Sequence, residues 1–428
     1  MKPVINIGIL GFGTVGCGTL QILQENRRSI ELKVGSKIEV KRICDLDITT
    51  PRPIRVDPNI LTTNADDVIN DPEIDIVVET IGGVQPAGRF LMNAIKNGKH
   101  IVTANKELIA KEGHALLEEA GNRKQDLMFE ASVGGGIPII RPLKLCLAGN
   151  EIEEIKGIVN GTTNYILTRM SEAGSEFSDA LREAQEKGYA EADPTNDIDG
   201  HDAAYKISIL ASIGFTSRVE VAEVYREGLR SVQREDTVIA EELGYKIKLL
   251  AIAKQINGAM QVRVHPTLLP FTHPLASIRE VYNAIMVRGN AVGDVMFFGK
   301  GAGALAAGSA VVGDIIDVAR NINFGATGKV ACTCFEKRPM QTMDDVVSKY
   351  YARVIAEDKP RVLASIAQIL GENDVSLESI VQHPMQGNEA TLVFVTHEVP
   401  EPNFKKALSE IELLPVVKKI GSWIRVEE

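Results

Sequence analysis

The chain of 428 residues reads as an α/β protein in three parts. An N-terminal parallel sheet comes first, then an α+β middle with a mixed sheet, then a ferredoxin-like C-terminal unit. Three observations predict this. Up to about residue 130, short and almost wholly apolar strands alternate with helices, the signature of a parallel sheet covered on both faces. After residue 150, runs of helix are followed by longer strands. From residue 350 the pattern resets to strand, helix, strand, strand, helix, strand, a βαββαβ unit. At roughly 150 residues per domain the length allows two or three domains.

The elements follow in order. VINIGIL (4–10) is a buried strand, followed by a glycine turn and a helix to about Arg28. IEVKRIC (38–44), IDIVVETI (74–81), HIVTAN (100–105) and DLMFEAS (126–132) continue the sheet, with helices at 86–97 and 105–121 as right-handed crossovers. The middle part predicts helices at 163–173, 178–187 and 200–213, strands at 245–257, 261–269, 281–288 and 293–299, and a small-residue helix from about 303 to 322. Residues 327–349 read as a connector.

Lys plus Arg total 47 against 57 Asp plus Glu, a net charge of −10. That balance excludes a general nucleic-acid binder, which needs a basic surface to displace counterions. Cys17, Cys44, Cys146, Cys332 and Cys334 are too scattered for a disulfide framework, which fits a reducing cytoplasm. The uncharged stretch after Lys2 resembles a signal peptide or membrane span, but Gly8, Gly11, Gly13, Gly16 and Gly18 suit a strand-to-helix turn better. The expectation is a cytoplasmic protein without membrane or nucleic-acid partners.

Gly11-Phe12-Gly13-Thr14-Val15-Gly16 is a GxGxxG that follows a strand and opens a helix. The first glycine permits the tight turn, the second admits a pyrophosphate and the third lets the helix pack on the strand. The helix N-terminus then faces negative phosphates. Asp45, at the end of the second strand, is placed to accept from a ribose diol, though further along than the usual spacing of about 20 residues. Lys41, Arg42 and Arg52 are close by in sequence and able to bind a 2′-phosphate instead, so NAD is usable and NADP stays open.

The densest polar cluster is GYAEADPTNDIDGHDAAYK (188–206). A calcium loop of EF-hand type fails there: aligning its glycine on Gly200 puts Lys206 where a bidentate Glu is required. The cluster runs into an apolar helix on which Asp202 and Lys206 stand at i and i+4, sharing a face. A lysine among carboxylates on a core helix points to an amine or hydroxyl site. Lys106 lies at the carboxyl end of a strand, where ligands of open α/β sheets collect. The histidines show no paired-ligand spacing for a transition metal.

These residues resemble homoserine dehydrogenase with a C-terminal ACT domain. The likeness rests on GFGTVG (11–16), ETIGG (79–83), VTANKE (102–107), EASVGGGIPII (130–140), GIVNGTTNYIL (157–167), the 188–206 block and GKGAGALAAGSAVVGDI (299–315). It implies a Rossmann-like nucleotide-binding domain over 1–132, completed by about 303–325, a catalytic and dimerisation domain over 133–326, a linker over 327–349 and an ACT regulatory domain over 350–428. It implies that Phe12, Gly13, Thr14 and Val15 line the cofactor, NAD or NADP, with Thr80, Lys106 and Gly188 near it and Gly303 closing over it. Glu191 and Asp202 hold the amino-acid end of the substrate, with Asp197 close by. By the same resemblance, Lys206 would be the proton donor and acceptor and Lys106 its partner. Glu130, with the carbonyls of Val133, Gly135 and Ile137, resembles a sodium site. The implied reaction is the interconversion of L-homoserine and L-aspartate 4-semialdehyde, in threonine and methionine biosynthesis. A threonine effector and a homodimer or homotetramer are also implied.

The chain departs from the family pattern at Cys44, where an Arg is frequent, which weakens strict NADP use, and at Arg361, where a Gly is common. Two competing readings are a cysteine enzyme such as aspartate-semialdehyde dehydrogenase, for which Cys146 is the nucleophile to consider, and a non-catalytic amino-acid sensor.

Overall fold

The computed structural model describes residues 1–328, 332–384 and 387–428; within the expected connector, residues 329–331 lie outside the described residues. Six parallel strands form the first sheet. Their spatial order is Leu61–Thr62, Lys37–Cys44, Val4–Leu10, Ile76–Glu79, His100–Thr103 and Leu127–Met128. Ile5, Ile7, Ile9, Ile76, Val77 and Val78 are fully buried, so these strands have no face to spare for polar side chains. The order switches direction between Val4–Leu10 and Ile76–Glu79, which opens a crevice at their carboxyl ends.

Two predicted elements differ. The helix expected to reach Arg28 is two helices, Thr14–Glu25 and Arg27–Val34, and the break at Asn26 lets Ile30 and Val34 turn into the core. The strand expected over 126–132 shrinks to Leu127–Met128. Glu130 ends it: its carboxylate accepts the N–H groups of Ile139 (2.6 Å), Ile140 (2.8 Å) and Arg141 (2.8 Å), and the chain bends into one 3-10 turn over Glu130–Ser132.

The helix Ala304–Phe324 returns to the first sheet and crosses Thr14–Glu25 backbone to backbone. A Cβ on Gly18 would stand 2.1 Å from the Ala304 carbonyl oxygen, and one on Gly308 2.7 Å from the Gly18 carbonyl carbon. Val311, Ile315 and Val318 of this helix share an apolar cluster with Ile5, Ile7 and Ile9.

The rest of the chain builds one mixed sheet. Its main path runs Gly293–Lys300, Tyr282–Gly289, Ile152–Ile158, Tyr245–Ile256, Ala259–Pro270, Val417–Val426, Val347–Glu357, Glu389–Thr396 and Leu377–Pro384. Ile152–Ile158 was not expected, because IEEIKGI carries its charges inward: Glu154 and Lys156 are buried and pair at 3.1 Å. The helix Arg234–Glu242 escaped prediction for a similar reason, since Asp236 and Thr237 are among its buried residues.

The C-terminal βαββαβ unit therefore extends the middle sheet. Thr267 and Leu268 pair in parallel with Arg425 and Val426. Buried charges lock this seam. Glu427 accepts from Lys254 (2.7 Å) and Arg263 (2.7 Å) and lies 3.4 Å from Lys156. Burial opposes the charge of Glu427, but these cations outweigh it and hold the carboxyl well below its ordinary range. Arg425 joins Glu401 (2.8 Å) to Glu227 (2.9 Å). Arg353 donates to Asp236 at 2.6 Å, and Ser422 donates to the same carboxylate. No helix among the described residues is long and apolar enough to cross a membrane.

Asp236 and Arg353 are both almost wholly buried, so removing one partner leaves an uncompensated charge. Asp236→Ala is expected to cost about 3–5 kcal/mol of stability, read as a fall in the urea unfolding midpoint.

Candidate active site

The glycine turn sits at the switch point. Gly11 has φ +94°, and a Cβ there would press within 2.7 Å of the Thr80 carbonyl carbon. Gly16 backs onto the Gly11 carbonyl oxygen, 2.4 Å from where a Cβ would stand. Gly13 differs: a Cβ there would meet nothing within 4 Å. Gly13 also starts the Thr14–Glu25 helix with no side chain capping it, so the first N–H groups of Thr14 and Val15 face an open cradle. Such a cradle fits a phosphate.

Asp45 closes the mouth of the turn. Its carboxylate accepts the Phe12 N–H and the Asp47 N–H (2.9 Å), with Arg52 3.8 Å away. Beyond it opens a cleft of about 750 Å³, lined by Gly13, Asp45, Asn64, Thr80, Arg89 and Asn93 among others. The open turn, the acid at its rim and the volume together fit a dinucleotide.

Lys106, Asp202 and Lys206 are not among the residues lining this cleft; Lys106 follows the end of a strand of the same sheet. Thr80 donates through Oγ1 to the Gly11 carbonyl (2.7 Å). Asn105, after the His100–Thr103 strand, caps the next helix by accepting the Leu108 N–H (3.0 Å), and that cap fixes where Lys106 begins the helix. The Lys106 ammonium pairs with Asp202 Oδ1.

Asp202 and Lys206 come from the first turns of His201–Gly214. Lys206 Nζ donates to Asp202 Oδ2 (2.7 Å) and to the Val159 carbonyl (2.6 Å). Asn160 Nδ2 donates to Asp202 Oδ2 (2.8 Å) and Asp197 Oδ1 (2.7 Å), while its own Oδ1 caps the Gly161–Ala173 helix. Lys206 is 8% exposed, whereas the Lys106 side chain is 43% exposed.

These surroundings push the two lysines apart. The Asp202 charge raises the Lys106 ammonium above its ordinary value, more than burial lowers it. Burial lowers Lys206, partly offset by Asp202 and reinforced by Lys106. Burial works against the Asp202 carboxylate, but Lys206 and Lys106 overcome it and hold the group well below the usual range. Asp197 is pushed up, first by burial and then by Asp202. One lysine is thus held charged while the other is eased toward neutrality, the pattern of a proton-transfer site.

Glu191 is exposed on the loop beside this group, and that loop is held by Gln185 Nε2 donating to the Glu191 carbonyl (3.1 Å). Gly188 takes φ +71° at the base of the same loop, and Gly303 takes φ +115° immediately before the Ala304–Phe324 helix. Phe12 is buried behind the glycine turn. At the predicted sodium site, the Glu130 carboxylate accepts the N–H groups of Ile139, Ile140 and Arg141. Gly135 lies against Gly301, with a Cβ position 2.3 Å from the Gly301 carbonyl oxygen. Cys146 is exposed on the Pro142–Cys146 turn and is not among the residues lining the cleft. Sequence reasoning missed Asn160 and Asn105. An Asn directly before a helical run is an N-cap signal that could have drawn attention to both.

The chain matches three family patterns: homoserine dehydrogenase over residues 138–316, homoserine dehydrogenase NAD binding domain over 11–130, and ACT domain over 350–414. It is 46% identical over 432 residues to the homoserine dehydrogenase of Synechocystis sp., covering 99% of each chain. It is 40% identical over 425 residues to that of Bacillus subtilis, covering 99% of this chain and 98% of the relative. The crystal structure of a homoserine dehydrogenase from Thiobacillus denitrificans superposes with a TM-score of 0.92 at 41% identity, covering 99% of this chain and 98% of that one. With the family patterns and full-length relatives in agreement with the glycine cleft and the buried lysine, this chain belongs to the homoserine dehydrogenase family, NAD(P)-linked oxidoreductases, with an ACT domain at its C-terminus.

Proposed function

We propose that the site interconverts L-homoserine and L-aspartate 4-semialdehyde with Lys206 as the proton donor and acceptor, serving threonine and methionine biosynthesis. The observation that carries this is the buried Lys206 Nζ, held by Asp202 and the Val159 carbonyl. A nicotinamide bound along the cleft, as NAD or NADP, supplies the hydride acceptor or donor. In oxidation, neutral Lys206 takes the hydroxyl proton as the carbon bearing that hydroxyl gives up hydride to the oxidised cofactor. In reduction, charged Lys206 faces the aldehyde oxygen, stabilises its developing negative charge and protonates it. Lys106 stays charged throughout and keeps Asp202 ionised.

Glu191, Asp197 and Asp202 bind the amino-acid end of the substrate in this reading. Residues 1–132 with about 303–325 hold the cofactor, 133–326 carry catalysis and pair protomers as a homodimer or homotetramer, and 350–428 respond to an amino-acid effector such as threonine. The NADPH complex of a hyperthermophilic archaeal homoserine dehydrogenase, 29% identical over 74% of this chain with a TM-score of 0.63, supports NADP as an alternative to NAD. In the same reading Glu130, with the carbonyls of Val133, Gly135 and Ile137, holds a structural sodium ion. The place of work is the cytoplasm.

Lys206→Ala should lower kcat for homoserine oxidation by about 10²–10⁴ while leaving cofactor affinity within a small factor; stopped-flow rates beside cofactor titration check this, and near-full activity removes Lys206 from the mechanism. Because burial lowers the Lys206 pKa from 10.5, the neutral base becomes available below that value. The oxidation rate should therefore rise from neutral into alkaline pH, and the reduction rate should fall over the same window. A flat oxidation profile, with hydride transfer shown to limit the rate, contradicts the assignment.

A further inference from the structure

The connector after the Ala304–Phe324 helix places Cys332, Thr333 and Cys334 in the wall of a cavity of about 60 Å³, separate from the dinucleotide cleft. The Lys106–Asn122 helix supplies His114 to the same cavity and the His201–Gly214 helix supplies Ser212, while Lys144 and Arg218 add positive charge. Backbone bonds seat the connector there. The Glu336 N–H donates to the Thr216 carbonyl (2.9 Å), and the Phe335 N–H turns back on the Thr333 carbonyl (3.0 Å).

Both cysteines are free and half-buried. Cys332 Sγ lies 4.0 Å from His114 Nδ1, and Cys334 Sγ donates to the Ser212 carbonyl at 3.6 Å. Two residues apart, their Cα atoms can be separated by at most about 7 Å, close to the range of about 4.4–6.8 Å that a disulfide spans. Two further groups in the cavity await a partner. The Thr333 hydroxyl oxygen is buried and meets no hydrogen-bond partner among the described residues. Lys144 stands 4.8 Å over the Phe129 ring and forms no ion pair among the described residues. A metal does not account for the group, since among the described residues no three His, Cys, Asp or Glu side chains are gathered to hold one.

The two thiols are unequal. Cys334 beside it brings the Cys332 thiol down to about 5, against burial and with help from His114. Cys334 is pushed up, first by Cys332 and then by burial. A thiolate is the nucleophilic form of cysteine, and a protonated neighbour supplies the proton that a leaving oxygen needs.

We propose that Cys332 and Cys334 are a dithiol site that hydroperoxides oxidise reversibly to a disulfide, with Cys332 attacking and Cys334 resolving. The Cys332 thiolate attacks the nearer peroxide oxygen and the O–O bond breaks. Cys332 becomes a sulfenic acid, and the second oxygen leaves as alkoxide or hydroxide beside the Lys144 ammonium and takes up a proton. The Cys334 thiol then attacks the sulfenic sulfur; the S–S bond forms and water departs with the Cys334 proton. The two thiols lose two electrons and the peroxide gains them. An external dithiol reverses the bridge.

The test treats the full chain with hydrogen peroxide as the probe and reads intact mass and free thiols. Wild type should lose two hydrogens and two of its five free thiols, with the bridge mapping to the peptide that holds Cys332 and Cys334, and dithiothreitol should restore both. Cys334→Ser should instead gain one oxygen on Cys332, captured by a 1,3-dione. Cys332→Ser should form no bridge and consume peroxide at least about tenfold more slowly than wild type, as expected when the thiolate is lost. Five free thiols after treatment of wild type overturn the proposal. So does oxidation confined to the exposed Cys146, a bridge between two chains, or sulfenic acid that forms on Cys334 as readily as on Cys332. The wild-type measurement decides whether the bridge forms even where a variant fails to fold.

Discussion

Asp202 is a buried carboxylate shared by two ammonium groups, and the arrangement of the rest of the site follows from keeping that group of charges together. Buried ions are expensive unless every lone pair and proton finds a partner. Separate elements converge on Asp202: the His201–Gly214 helix brings Lys206 and the end of Ile152–Ile158 brings Val159 and Asn160, with Lys206 and Asn160 donating to Oδ2, while the Asn105 cap brings Lys106 as the ion-pair partner of Oδ1, which accepts no hydrogen bond. Removing any one of these leaves an unmatched charge or donor. The same confinement separates two lysines that in water would titrate together, raising Lys106 and lowering Lys206.

Much of this was readable from the residues. The GxGxxG after an apolar strand announced the switch point, and the i, i+4 spacing of Asp202 and Lys206 put both on one helical face. That Lys106 meets them is a long-range fact: 96 positions in the chain separate Lys106 from Asp202, and no local periodicity encodes that approach. The resemblance to a family supplied it instead. Ile152–Ile158 stayed hidden because buried Glu154 and Lys156 interrupt its isoleucines, leaving neither an apolar run nor a clean alternation of apolar and polar side chains. The commitment of Glu130 to three backbone N–H groups was equally invisible, since a side chain's partners depend on where a distant turn lands.

Charges also decide how the C-terminal unit is attached. A βαββαβ unit has a core of its own, here Tyr350, Ile366, Phe394, Phe404 and their neighbours, with Tyr350 and Phe404 stacked at 4.2 Å. From sequence it reads as a separate module. What binds it into the larger sheet is a short parallel pairing reinforced by Glu427, Arg425 and the Asp236–Arg353 pair. These residues belong to segments far apart in the chain, and each would pass for an ordinary surface charge in isolation.

The shared sheet has a consequence for solubility. On the edge of strand Ala259–Pro270 away from Tyr245–Ile256, Thr267 and Leu268 pair with strand Val417–Val426. Loss of that strand by proteolysis or truncation would bare main-chain donors and acceptors there, beside Lys156, Lys254 and Arg263 left with their positive charges unneutralised by Glu427. An open sheet margin of that kind is a template for self-association. Strand Val417–Val426 thus closes a sheet margin that would otherwise be open to a second strand.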